Sequence, residues 1–200
     1  MKKKQNIGLF FGSFNPIHFG HLIIANYMSE FTDLDQIWFV ISPHNPLKKK
    51  QSLLNVAFRF EMVEIAIKEV VKFKTCNAEI NLPQPSYTIH TLAYLSEKYP
   101  KYNFSIIMGA DNLLSFNKWK NYTQILENYN VYIYPRSTYE KDLIPEYLLK
   151  YKEKIFFTNA PIIEISSSFI RSSIAKKKDV RFFLPLAVYE YIDRQQFYRS

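Results

Sequence analysis

Apolar residues gather along this chain in short runs. Some have the length of strands, others repeat every three or four residues as helices do. Asn6 to Phe11 predicts a buried strand. His18 to about Met28 predicts the helix after it, with Leu22, Ile23, Ala25 and Tyr27 available for packing. A second strand is expected over Gln36–Ile41, and strand, helix, strand at this spacing makes a right-handed βαβ unit and hence a parallel sheet. Asn55 caps an amphipathic helix running to about Glu69, whose stripe is Val56, Phe60, Val63, Ile67 and Val70. Arg59 lies beside that stripe, where solvent would suit it equally well, and no chemistry is assigned to it. Phe73–Ile80, with a break at Asn77, Asn103–Met108 and Asn130–Tyr134 read as further strands. A helix is expected from Pro145 to Tyr151, and Ile155–Thr158 and Ile162–Ile165 are strand-like runs at the sheet's margin. The last helix, Pro185 to about Arg194, packs by Val188, Tyr191 and Ile192. The expected class is α/β, a Rossmann-like doubly wound parallel sheet in a single domain over residues 1–200, with a small helical part from about residue 166.

With 200 residues and 48% hydrophobic content, the chain can bury a sizeable core and is not disordered. Cys76 alone cannot form an internal disulfide, the N-terminal lysines pass directly into the first strand, and no apolar run approaches the roughly 18 to 20 residues of a membrane span. A reducing, cytoplasmic setting without a membrane partner is expected. The net charge of +8 would suit nucleic acid or a site for several phosphates. Lysine triplets at 2–4, 48–50 and 176–178 are the stuff of solvated surface, and no nucleic-acid-binding module is visible, so no nucleic-acid partner is expected.

Glycine narrows the picture further. The chain has 4 glycines, and Gly8, Gly12 and Gly20 fall in the single stretch from Gly8 to His21, where a strand passes through a turn into a histidine-bearing helix. Glycine there lets backbone bend or approach a ligand closely, and the helix start aims free N–H groups and its positive dipole end at the same space, which suits an anion. His18 and His21, three apart, share one helix face. A zinc pair is the plainer alternative, but histidines at this spacing without a nearby Cys or carboxylate make a poor zinc site. Gly109-Ala-Asp111-Asn112 closes another strand, where Asp111 suits either ribose hydroxyls or a helix cap. Ser166-Ser167-Ser168 opens a helix with Arg171 one turn inside, offering hydroxyls, amides and a guanidinium fork to phosphate. Pro83 to Leu92 passes from an extended loop into a helix start, with Ser86 or Thr88 as the candidate cap.

The string Gly12-Ser-Phe-Asn-Pro-Ile-His-Phe-Gly-His21 resembles the HxGH signature of the nucleotidyltransferase superfamily. Within it, Ser86-Tyr-Thr, the Gly-x-Asp-Asn-x-x-x-Phe-x-x-Trp pattern ending at Trp119, and Ile165-Ser-Ser-Ser-Phe-Ile-Arg171 are similar to motifs of bacterial nicotinate mononucleotide adenylyltransferases; the last departs only by Ser168 where the family has Thr. That resemblance runs from Gly8 to Ile192 in the family's motif order, and Arg59-Phe-Glu-Met62, read as Arg-x-x-Met, also resembles the family, with a solvent-facing Arg59 as the equal alternative. It implies transfer of the adenylyl group of ATP to nicotinate mononucleotide, with Mg²⁺ carried by ATP phosphates and no dedicated protein metal site. It implies catalytic roles for His18, His21, Lys48 and Arg171, and ATP contacts by Gly12, Ser13, Phe14, His18, His21, Gly109, Asp111, Ile165, Ser167, Ser168 and Arg171. The mononucleotide would meet Asn15, Lys48, Ser86, Tyr87, Thr88, Asn112, Trp119 and Arg136, with Trp119 stacking on the pyridine ring. The register among Lys48, Lys49 and Lys50 stays open, as does a homo-oligomer. Transfer to nicotinamide mononucleotide or phosphopantetheine, and a nucleotide- or RNA-binding module without turnover, are the alternatives.

Overall fold

The computed structural model describes residues 4–43, 53–139 and 143–199. Its frame is one sheet of six parallel strands: β1 (Gln5–Gly12), β2 (Gln36–Ile41), β3 (Phe73–Cys76), β4 (Tyr102–Gly109), β5 (Asn130–Tyr134) and β6 (Ile155–Phe157). They lie in the order β3-β2-β1-β4-β5-β6, so the chain builds outward from β1 in one direction and then returns to its other side at β4. The carboxyl ends of β1 and β4 therefore flank a topological switch point, where the connections diverge and leave a crevice.

Seven α-helices cover the sheet: α1 (Phe19–Phe31), α2 (Val56–Ile67), α3 (Ala78–Asn81), α4 (Thr88–Lys98), α5 (Tyr122–Asn128), α6 (Ser167–Ala175) and α7 (Leu186–Arg194), counted among the described residues. Both sheet faces are buried, which explains why the strands read as continuous apolar runs. The period of two still decides which residue goes where. Along β2, Ile37 and Phe39 join the core beneath α1, α2 and α7, whereas Trp38 and Val40 face the core under α4 and α5. Each such fully buried side chain contributes about 1.5 to 3 kcal/mol of transfer free energy, before the entropy of ordering it.

The observed elements correct the expected pattern in several places. The third strand stops at Cys76, because Asn77 turns out of extended geometry (φ −94°, ψ 14°) into the short helix α3. Ile162–Ile165 joins no strand; Ile163 instead packs over Gly20 of α1, where an added Cβ would come within 2.9 Å of its Cγ2. The segment after Pro145 is a 3₁₀ helix over Glu146–Lys154, kinked at Tyr151. Another 3₁₀ helix spans Ala110–Lys118, and its three-residue repeat brings Ala110, Leu113 and Phe116 to the core together. Helix α2 ends at Ile67, leaving Val70 exposed, and buries Arg59, Met62, Val63 and Ile67. Arg59 thus sits inside the stripe rather than in solvent. At the other end of the chain, Val188, Tyr191 and Ile192 are the buried residues of α7, as expected.

Candidate active site

The loop leaving β1 makes its turn differently from the expectation. No described glycine has positive φ; the left-handed residue is Phe14 (φ 44°), and Gly12 provides room, since a Cβ there would lie 2.7 Å from the Phe14 ring. Asn15–Pro16 is a cis peptide, after which His18, in extended geometry, caps α1. The His18 carbonyl accepts from the His21 N–H at 2.9 Å, and the His18 N–H donates to His21 Nδ1 at 3.3 Å. That contact leaves the proton of a neutral His21 on Nε2. The two imidazoles stack with centroids 3.7 Å apart and planes 26° off parallel, so they do share one face.

His18 is 4% exposed, and its Nδ1 has no hydrogen-bond partner among the described residues. Burial, helped by the positive Arg136, lowers its pKa from 6.5 to about 4, so the ring is neutral near pH 7. Between pH 6.5 and 4 the unfolded chain binds a proton at this residue that the folded chain does not. Stability therefore falls as pH falls through that window, by about 3 kcal/mol from this group. Urea unfolding of the wild type and His18→Ala across pH 4 to 7 should show that the variant loses less; parallel curves would refute the assignment.

Helix α6 closes against the same loop. Ser166 caps it by accepting from the Phe169 N–H at 3.1 Å. Ser167 Oγ donates to the Pro16 carbonyl at 2.8 Å; Arg171 Nη1 donates to the Asn15 carbonyl at 2.8 Å and Nη2 to Ser168 Oγ at 3.3 Å. The nine-residue helix therefore directs its N-terminal amides and a guanidinium toward the histidine-bearing turn.

Across the crevice, Arg136 lies over the Tyr134 ring at 4.9 Å, donates to its hydroxyl at 3.1 Å, and faces Asp111 at 3.6 Å. Asn112 Nδ2 donates to the Gly109 carbonyl at 3.2 Å. Trp119 is half-buried against Phe116, with ring centroids 4.8 Å apart. The cap of α4 is Tyr87, not Ser86 or Thr88, and it makes no side-chain capping bond. Ser86 is occupied elsewhere, donating to the buried carboxylate of Glu79 at 3.2 Å, which also accepts from Thr91 at 3.3 Å. Desolvation pushes the Glu79 pKa up against those hydrogen bonds.

These walls enclose an open cavity of about 970 Å³ at the switch point, at the upper end of the range of small-molecule sites. Every site residue named from the sequence lines it except Lys48, which, with Lys49 and Lys50, lies outside the described residues. The cavity also includes Glu79, Lys118 and Lys120, which the sequence reading passed over. Lys120 Nζ sits 4.5 Å above the Tyr87 ring, and both lysines flank Trp119, which was the available clue. Glu79 carried no motif of its own. Cationic groups outnumber the two carboxylates on the lining, as phosphate-rich ligands require.

Comparison with known proteins places this site in a family. Residues 9–173 match the cytidylyltransferase-like family model. The chain is 54% identical over 196 residues to a probable nicotinate-nucleotide adenylyltransferase of Flavobacterium johnsoniae, covering 98% of this chain and 100% of that one. It is 41% identical to the protein of the same description from Bacteroides fragilis, covering 96% and 93%. The solved Plasmodium falciparum nicotinic acid mononucleotide adenylyltransferase, complexed with NaAD, aligns with a TM-score of 0.79 over 97% of both chains at 23% identity, a likeness of fold. The chain belongs to the cytidylyltransferase-like family and, within it, to the nicotinate-nucleotide adenylyltransferases.

Proposed function

We infer that this protein transfers the adenylyl group of ATP to nicotinate mononucleotide, forming nicotinate adenine dinucleotide and releasing pyrophosphate. The observation that carries this inference is the meeting of the stacked His18 and His21 with the start of α6 on one side of a crevice whose other side carries Trp119, Tyr87 and Arg136. A phosphate oxygen of the mononucleotide attacks the α-phosphorus of ATP. A new P–O bond forms, the bond from that phosphorus to the bridging oxygen of the β-phosphate breaks, and the electron pair leaves with pyrophosphate. No protein nucleophile is needed; alignment and charge stabilisation supply the rate.

His21, with Nδ1 occupied by the His18 N–H, offers an Nε2–H to a phosphate oxygen. His18, neutral when free, becomes a better proton holder once an anion sits beside it. Arg171, Ser167 and Ser168 take the departing phosphates, with Lys48 as the further cation. Gly12, Ser13, Phe14, Gly109, Asp111 and Ile165 surround ATP, while Asn15, Ser86, Thr88 and Asn112 join the mononucleotide wall. The amides at the start of α4 would receive the pyridine carboxylate, and Trp119 would stack on the ring.

Mg²⁺ belongs to this proposal as part of the nucleotide, neutralising phosphate charge when bound. The lining suits a phosphate-borne ion better than a protein cage: Asp111 already faces Arg136, Glu79 already holds Ser86 and Thr91, and no group of three or more metal-ligating side chains occurs among the described residues. Nor is any described helix long and apolar enough to cross a membrane. We take the enzyme to act in the cytoplasm without nucleic acid.

The test is pyrophosphate release from Mg-ATP with nicotinate mononucleotide, nicotinamide mononucleotide or phosphopantetheine as acceptor. Turnover should favour nicotinate over nicotinamide by about 10- to 100-fold, the worth of one charge-assisted hydrogen-bond set. Preference for phosphopantetheine, or no turnover with any acceptor, overturns the inference.

A further inference from the structure

Arg59 is 1% exposed and has no carboxylate partner among the described residues. Its donors go to four carbonyls: Nε to Leu54 at 2.9 Å, Nη1 to Ser13 at 2.6 Å and to Ser42 at 2.9 Å, and Nη2 to Pro43 at 3.1 Å. One guanidinium thus ties the loop leaving β1 to the loop leaving β2. A second contact reaches the same turn from the far end of the chain. Left-handed Gln196 (φ 57°) and Tyr198 (φ 62°) bend the segment after α7, and Phe197 packs on Phe58 of α2 at 5.0 Å. The Tyr198 hydroxyl then donates to Asn15 Oδ1 at 2.7 Å.

Between Ser13 and Asn15 stands Phe14, the residue with the unfavourable left-handed backbone. We propose that Arg59 and Tyr198 are positioning residues for adenylyl transfer, a two-point clamp that grips the β1–α1 loop on either side of Phe14. Neither residue lines the cavity. The clamp holds the loop amides and the His18–His21 stack where the α-phosphate must sit, and a shift of about 1 Å there costs up to about 100-fold in rate. This rests on the adenylyl-transfer function inferred above.

The test uses the full chain with Tyr198→Phe, which deletes one hydroxyl, and Arg59→Lys, which keeps the charge but loses the fork. In both, kcat for pyrophosphate release should fall about 10- to 100-fold with KM for ATP and nicotinate mononucleotide within about threefold. Amide hydrogen exchange at residues 12–18 should quicken by about fivefold or more, while β4 stays protected. Should Arg59→Lys fail to fold, Tyr198→Phe alone decides. Unchanged kcat and unchanged loop exchange in Tyr198→Phe overturn the clamp. Equal loss of protection in the loop and in β4 also overturns it, in favour of a general packing role. A wild type that turns over none of the acceptors overturns the inferred function instead, and the exchange measurement still judges the clamp.

Discussion

Replacing His18 by alanine is expected to lower kcat for pyrophosphate release by about 10²- to 10³-fold while ATP still binds, the usual effect of losing one preorganised partner of a transition state's charge. The ring is 4% exposed, stacks on His21 at 3.7 Å, and belongs to the residue that caps α1, where the helix offers its amides. Such a group needs no reorganisation when charge develops on the transferring phosphoryl group. Steady-state kinetics with nicotinate mononucleotide, paired with calorimetric ATP binding, separates the two effects. A kcat within about threefold of wild type would remove His18 from the chemistry. The alanine variant also lacks the imidazole held near pKa 4, so it should be the variant that better tolerates mild acid. Slower turnover joined to greater acid tolerance is a combination that simple misfolding would not produce.

Arg59→Met should cost the fold about 3 kcal/mol. Four carbonyls would lose a charged donor, each such bond being worth about 1.5 to 3 kcal/mol, offset in part because no guanidinium then has to be desolvated. Methionine fills much of the space, so the loss reports unpaired carbonyls rather than a cavity. Urea unfolding at neutral pH, with the slope m unchanged, measures it. A loss below about 1 kcal/mol would show that the loops re-pair without the arginine.

Much of this architecture was legible because both sheet faces are buried. Runs such as Gln36–Ile41 and Asn130–Tyr134 are too short for helices and too apolar for loops, and the structure assigns them as β2 and β5 with those bounds. The glycine cluster and serine run point to the β1–α1 loop and the start of α6, which the structure brings together, although the left-handed turn residue is Phe14 rather than a glycine. What escaped was decided by distant partners. Ile162–Ile165 is mostly apolar and β-branched like a short strand, but Ile163 finds its partner in the bare flank of Gly20 and the segment joins no strand. Arg59 carries the same side chain whether it faces water or four carbonyls contributed by residues 13, 42, 43 and 54. Glu79 falls within the strand expected over Phe73–Ile80, and nothing local to it announces the Ser86 and Thr91 hydroxyls that donate to it. Helix α5 has seven residues and buries two, too few for a visible stripe.

The bonds from Ser167 to Pro16 and from Arg171 to Asn15 join positions 151 and 156 apart in sequence. An intermediate that has formed β1, β2 and their helices but not yet docked α6 would hold a half-built anion site with its loop carbonyls open to water. Such a species would be catalytically silent. Activity in this protein would therefore report that α6 has docked on the β1–α1 loop.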